Sequence, residues 1–145
     1  MYSSFVGTKL STKRVLSKVS PPMEIAVLHV SGRVKGRLDL SGWNEILQAS
    51  IVRIPKGKLI KPHKHLPIQR ETVGTQETWI VQRGRGLATF YDLNGSKLVE
   101  VKVSRGAVVL LLRGGHSLRA LSRRFTIVEV KNGPYRGGEI DKASI

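Results

Sequence analysis

The feature that most constrains this chain is a rhythm. Short apolar or β-branched runs recur at 25–30, 43–54, 59–65, 77–82, 87–91, 97–103, 107–112, 117–121 and 125–130. Turn-forming residues punctuate them: Gly84-Arg85-Gly86, Asp92-Leu93-Asn94-Gly95, Ser104-Arg105-Gly106 and Gly114-Gly115. Asn94-Gly95 between two such runs is a hairpin signature, because the tight turn that matches strand twist needs left-handed residues at its centre. No stretch carries sustained helical periodicity with caps. Evenly spaced strands with glycine-rich turns predict an all-β barrel or sandwich.

At 145 residues the chain has room for one domain with a real core and no second one of comparable size. Ser20-Pro21-Pro22 is a breaker. It divides the chain into a basic segment, 1–22, and a folded domain, 23–145. The first segment holds Lys9, Lys13, Arg14 and Lys18 without an acid and lacks the apolar core of a secretory signal. It imitates a transit peptide in composition, but a tail or an opening strand is the expectation. The longest apolar run, 107–112, is strand-sized, so no membrane span is expected. Cysteine is absent, which removes disulfides, zinc-thiolate sites and thiol nucleophiles. That fits a reducing compartment, and a cytoplasmic location is expected.

The formal net charge of +15 points to acidic partners: nucleic acid, anionic lipid or phosphorylated small molecules. No zinc finger, helix-turn-helix or RNA-recognition aromatic pair is visible, and aromatics make up only 6%. Specific nucleic-acid recognition is therefore not expected. A small anionic molecule is the expected partner.

Chemistry concentrates around few residues. Side chains alternate across a strand, so His63 and His65 would share one face of a strand over 59–65. Two neutral imidazoles on one face are half of a metal site. Glu77 and His116 lie further on, so three of the four histidines fall into one constellation. Parity places Lys61 with His63, Trp79 with Glu77, and Leu118 with His116. The polar stretch 66–76 offers Gln69, Arg70 and Glu71, and Arg113 and Arg119 flank His116. Arginine grips phosphate or carboxylate bidentately.

The spacing resembles the two cupin motifs. Gly57, five residues, His63-Lys64-His65, then Glu77, six residues and Gly84 follow the first. The spacer 66–76 is eleven residues, longer than the three or four usual in that motif. Gly106 and Gly114 hold the separation of the second motif; His116 arrives one residue early, Leu112 stands where proline is usual, and the closing asparagine is missing. Residues 129–135, Glu-Val-Lys-Asn-Gly-Pro-Tyr, with 74–81 and the 91–95 hairpin, also resemble small single-domain cupins that accompany surface-polysaccharide and nucleotide-sugar genes.

The resemblance implies a double-stranded β-helix, the jelly-roll barrel, with His63, His65, Glu77 and His116 converging in its mouth. Three imidazoles and a carboxylate suit a divalent transition metal (Fe, Mn, Ni, Co, Cu or Zn), and nitrogen-rich ligation argues against Ca and Mg. Lys61, Arg70, Trp79, Arg113 and Leu118 would contact substrate, with Glu71 or a tyrosine for proton transfer. The implied function is action on a small anionic metabolite such as a sugar or sugar nucleotide, by isomerase or epimerase chemistry or by iron-dependent oxygen chemistry. A non-catalytic small-molecule-binding cupin is the alternative. The resemblance further implies a homodimer and a setting in carbohydrate metabolism.

Overall fold

The computed structural model describes residues 11–145, and these are almost entirely β. The strands are β1 (Ser11–Leu16), β2 (Glu24–Ser31), β3 (Arg37–Asp39), β4 (Ser50–Val52), β5 (Glu77–Arg83), β6 (Arg85–Tyr91), β7 (Lys97–Ser104), β8 (Val108–Leu111), β9 (Gly115–Ala120) and β10 (Thr126–Lys131). One short helix, α1 (Gly138–Asp141), follows them. All pairings are antiparallel. A five-stranded sheet has the order β1-β2-β8-β5-β10, a three-stranded sheet the order β7-β6-β9, and β3 and β4 form a separate hairpin. Among the described residues no helix is long and apolar enough to cross a membrane.

Strand alternation explains how the layers meet. In the large sheet Ala26 and Leu28 stand opposite Leu111 and Val109, which stand opposite Glu77 and Trp79. This row faces the three-stranded sheet, whose Ala88, Phe90, Val101 and Val103 complete one buried cluster. Phe90 is wholly buried, and removing such a side chain from water contributes about 1.5–3 kcal/mol. The opposite parity, Val27 and Leu110, makes a second core with Leu40 and Leu112 under Leu38, Ala49 and Ile51 of the β3–β4 region. The large sheet is thus apolar on both faces, and its central strands β2 and β8 read as continuous apolar runs rather than alternating ones.

Two glycines of the expected motifs have a steric reason. Gly114 (φ +68°) brings the backbone so near that a Cβ would lie 2.5 Å from the Tyr91 carbonyl oxygen. Gly84 (φ +78°) would place one 2.5 Å from Ser122 Oγ and 2.9 Å from Phe125 Cα. Neither the left-handed backbone nor the close approach tolerates a side chain.

Several expectations are corrected. Residues 59–65 form no strand; 53–74 are exposed and irregular throughout. Pro62 lacks an amide donor, and Lys58, Lys61 and Lys64 leave little to bury, so nothing holds this run to a sheet edge. The run 43–54 contributes only Ser50–Val52, which pairs with the unforeseen strand Arg37–Asp39, while Trp43 points into solvent, 90% exposed. Within the segment expected to be a tail or an opening strand, Ser11–Leu16 pairs along β2 ahead of the Pro21-Pro22 breaker. The remainder of the basic segment, 1–10, lies outside the described residues. In the carboxy-terminal stretch, α1 is tied to the entry of β5 by Thr75 Oγ1 donating to Asp141 Oδ1 at 2.5 Å.

Candidate functional site

The site forms where β5 and β9 open at one end of the two sheets. Glu77 is the first residue of β5, on the face that looks toward the small sheet. His116 lies on β9 opposite Phe90, so the pleat that sends Phe90 inward sends His116 inward as well. Their side chains meet, with His116 Nε2 3.4 Å from Glu77 Oε2. Trp79, two residues along β5, stacks edge-on against His116 with ring centroids 5.2 Å apart and an interplanar angle of 81°. Parity within each strand, together with the packing of the two sheets, brings Glu77, Trp79, His116 and the half-buried Leu118 around one cleft of about 1020 Å³.

Glu77 is 5% exposed. Its contact with His116 holds its carboxyl below the usual glutamate range against the opposing effect of burial, helped by the positive fields of His116, Lys131 and Lys142. Lys131 faces Glu77 in register across β10, with Nζ 3.8 Å from Oε1. The same ammonium lies 2.9 Å from Glu129, and that hydrogen bond is the main reason its pKa is raised. The cleft therefore holds an ionised carboxylate in contact with an imidazole, with Glu129, Asp141 and Lys142 also in its lining. The indole N–H of Trp79 is buried and has no hydrogen-bond partner in the protein. A buried donor left unpaired costs about 1–3 kcal/mol.

Arg113 also lines the cleft, but its guanidinium is already engaged. It donates to both Glu45 oxygens at 2.8 Å and to the Glu24 carbonyl at 2.6 Å. Glu45 in turn accepts from Gln76 Nε2 at 2.6 Å, and Gln76 Oε1 accepts from Leu47 N–H at 2.8 Å. This network fixes the 41–49 segment against the entry to β5. Arg113 thereby positions the backbone beside Glu77 rather than offering a free fork to substrate.

The other expected residues lie elsewhere. His63 and His65 sit on the exposed 53–74 stretch, near each other with ring centroids 5.5 Å apart. His63 Nδ1–H donates to the Lys61 carbonyl at 2.9 Å, which leaves Nε2 as the lone-pair nitrogen. Lys61, Arg70 and Glu71 are exposed on the same stretch, and none of them lines the cleft. The expected set of four thus appears as two pairs, Glu77 with His116 and His63 with His65. Among the described residues no three His, Cys, Asp or Glu side chains are grouped closely enough to hold a metal ion. The cleft donors as arranged do not fit a metal centre: two ligands are short of the three or four a transition metal takes, and an ammonium and an N–H stand beside them.

Residues 141–145 close one side of the cleft, and Ile145 seats on Gly95 and Gly115. Sequence reasoning missed these and Lys131. The only signal for Lys131 was its parity with Glu129 on a strand, and for 141–145 there was none. His29 is buried beside Thr12, Oγ1 to Nδ1 3.2 Å. Comparison with family models, with curated proteins and with solved structures finds no match to this chain.

Proposed function

We propose that this protein binds a small, oxygen-rich anionic metabolite, such as a sugar or sugar nucleotide, in the Glu77–His116 cleft and acts on it by proton transfer. The observation that carries the reading is the pair itself. A buried, ionised carboxylate contacts a partly exposed imidazole on an open cleft, beside an unpaired indole donor. With His116 Nε2 turned toward Glu77 at 3.4 Å, Nδ1 is left as the basic nitrogen. An imidazole oriented by a carboxylate is a competent general base, typically contributing about 10²–10⁴-fold to a rate. Abstraction of a proton beside a carbonyl and its return at the same or a neighbouring carbon is epimerase or isomerase chemistry. Lys142, which lines the cleft, supplies positive charge for ligand oxygens.

The test is deuterium wash-in. Incubated in D₂O with nucleotide sugars and hexose phosphates, the wild type should introduce deuterium at a carbon next to a carbonyl, and His116→Ala should not. Saturable binding without exchange would instead make the protein the non-catalytic member of the two readings. Failure of both proteins to bind any such compound removes the proposal.

A second reading keeps the metal that the cupin resemblance implies. One observation favours it: the hydrogen bond from His63 Nδ1–H to a carbonyl is the arrangement that orients a ligating histidine, and Nε2 is left open. Metal binding would require 53–74 to carry His63 and His65 to the Glu77–His116 pair. Elemental analysis of protein purified without added metal decides this, with the His63→Ala/His65→Ala double variant as control. Stoichiometric metal in the wild type, lost in the variant, establishes it. The homodimer of that resemblance has a candidate surface in Ile80, Val128 and Val130, which share the exposed outer face of β5 and β10. Sedimentation with Val128→Lys tests it; a mass equal to one chain for the wild type ends the idea.

A further inference from the structure

The far end of the two sheets is built differently. Following β5 from Glu77 to Arg83 crosses the scaffold by about 20 Å at the strand rise. There the β5–β6 turn, Arg83-Gly84-Arg85, packs into the β9–β10 turn. Arg85 N–H donates to Ser122 Oγ at 2.9 Å, Leu121 N–H donates to the Arg85 carbonyl at 2.9 Å, and the bare Cα of Gly84 lets the two turns touch. The β7–β8 turn reaches the same end, since Gly106 N–H donates to the Val81 carbonyl at 2.9 Å and Ser104 stands opposite Arg85. Three turns fixed to each other thus present Arg83, Arg85, Arg105, Arg123 and Arg124, all exposed, and four of these residues are within two positions of Gly84 or Ser122.

The charge there is uncompensated. Among the described residues none of these five guanidinium groups has an ion pair, side-chain hydrogen bond or ring contact. Cations paired elsewhere include Arg14 with Glu24, Arg37 with Asp39, Lys97 with Glu100, and Arg113 with Glu45. A hollow of about 500 Å³ lies between the turns, bounded by Arg83, Gly84, Ser122, Arg123 and Arg124. The guanidinium groups are held by nothing, whereas the backbone beneath them is fixed. That arrangement suits an extended polyanion whose phosphates the free side chains can follow, more than a compact ligand that needs fixed donors.

We infer that this arginine end is a docking surface for the phosphate backbone of nucleic acid, engaged without reading its bases. Arginine forks match phosphate oxygens, and Phe125, the aromatic residue of the β9–β10 turn, is half-buried with its ring against Gly86. The surface is independent of the Glu77–His116 cleft, so either assignment can fail while the other stands.

Fluorescence anisotropy with a labelled single-stranded oligonucleotide of mixed sequence, measured across a salt series, tests it. The Arg83→Gln/Arg85→Gln/Arg123→Gln/Arg124→Gln variant should lower the slope of log K against log salt by up to about 3, given about 0.7 per phosphate contact on a single strand. A control variant with the same charge removed from exposed positions distant in sequence, Lys35→Gln/Arg53→Gln/Lys56→Gln/Lys58→Gln, should lower it by less than about 1. Replacing the four arginines by lysine should retain most of the slope. Should the quadruple glutamine variant not fold, Arg123→Gln and Arg124→Gln singly should each remove about 0.7. Equal losses in the arginine and control variants would leave only net charge and overturn the assignment. So would binding to vesicles containing phosphatidylserine with no binding to the oligonucleotide, or an affinity that changes strongly with base sequence.

Discussion

The two histidine-bearing halves of the expected motif have had opposite fates. Glu77 and His116 are separated by almost forty positions yet touch, whereas His63 and His65 are near neighbours in sequence and remain in solvent. The difference lies in what holds each backbone. β5 is paired on both sides, to β8 and β10, and β9 is paired to β6. Each pleat therefore dictates where its side chains go. The 53–74 stretch is exposed throughout and joins no strand ladder, so the alternation on which the His-x-His argument rests does not apply. A spacing in sequence becomes a geometry in space only when a ladder of hydrogen bonds enforces it.

The largest test of this contrast is on affinity and turnover. His116→Ala should lower any proton-transfer rate by about 10²–10⁴-fold, and the His63→Ala/His65→Ala double variant should leave it within a few-fold. An equal loss in both, measured by deuterium wash-in, would show that the two halves act together and would favour the metal reading. Next comes stability. Trp79→Ala should cost about 3–5 kcal/mol in urea unfolding, because it empties the core behind His116. His65→Ala should stay within about 0.5 kcal/mol. Trp79→Phe sharpens the point: it keeps most of the packing and removes the unpaired N–H, so it should be tolerated in stability while weakening ligand binding.

A pH series separates the halves again. Because Glu77 has a folded-state pKa depressed by its contact with His116, its contribution to stability is fully present above the ordinary glutamate pKa. It is lost as pH falls through the lower folded value. Glu77→Gln should therefore flatten part of the acid limb of stability against pH, and His63→Ala should not alter that limb. Identical limbs for wild type and Glu77→Gln would mean that the contact carries no linkage. The smallest effect is expected from the loop. Replacing 59–70 by a short Gly-Ser link should change stability by only about 0.6 kcal/mol, the entropy of halving a loop, and should leave binding in the cleft intact. A large loss of either would show that the exposed stretch does hold part of the site.

Asp92 shows how a turn predicted from sequence acquires a second role. The hairpin at Asn94-Gly95 was readable from its residues, and it joins β6 to β7 as expected. What the residues did not announce is that Asp92 is buried and ties in the chain that leaves β1. Burial alone would raise its pKa, but it accepts from Ser17 Oγ at 2.6 Å and from the amides of Lys18, Val19 and Leu93, and these hold its carboxyl below the usual range. Ser17, Lys18 and Val19 come from a segment more than seventy positions away, and no local pattern marks them.

By itself the sequence determined the all-β class, most of the strands from β5 to β10, the turn glycines, and the shared parity of Glu77 with Trp79 and of His116 with Leu118. These follow from rules that act over a few residues: pleat alternation, left-handed turns and the apolar content of a strand. Tertiary structure alone decided that Glu77 meets His116 and Lys131, that Glu45 takes up the fork of Arg113, that 53–74 leaves its histidines in water, and that three turns bring five unpaired arginines to one end. Each of these depends on which strands become neighbours. That choice is set by how the whole chain covers both apolar faces of one sheet.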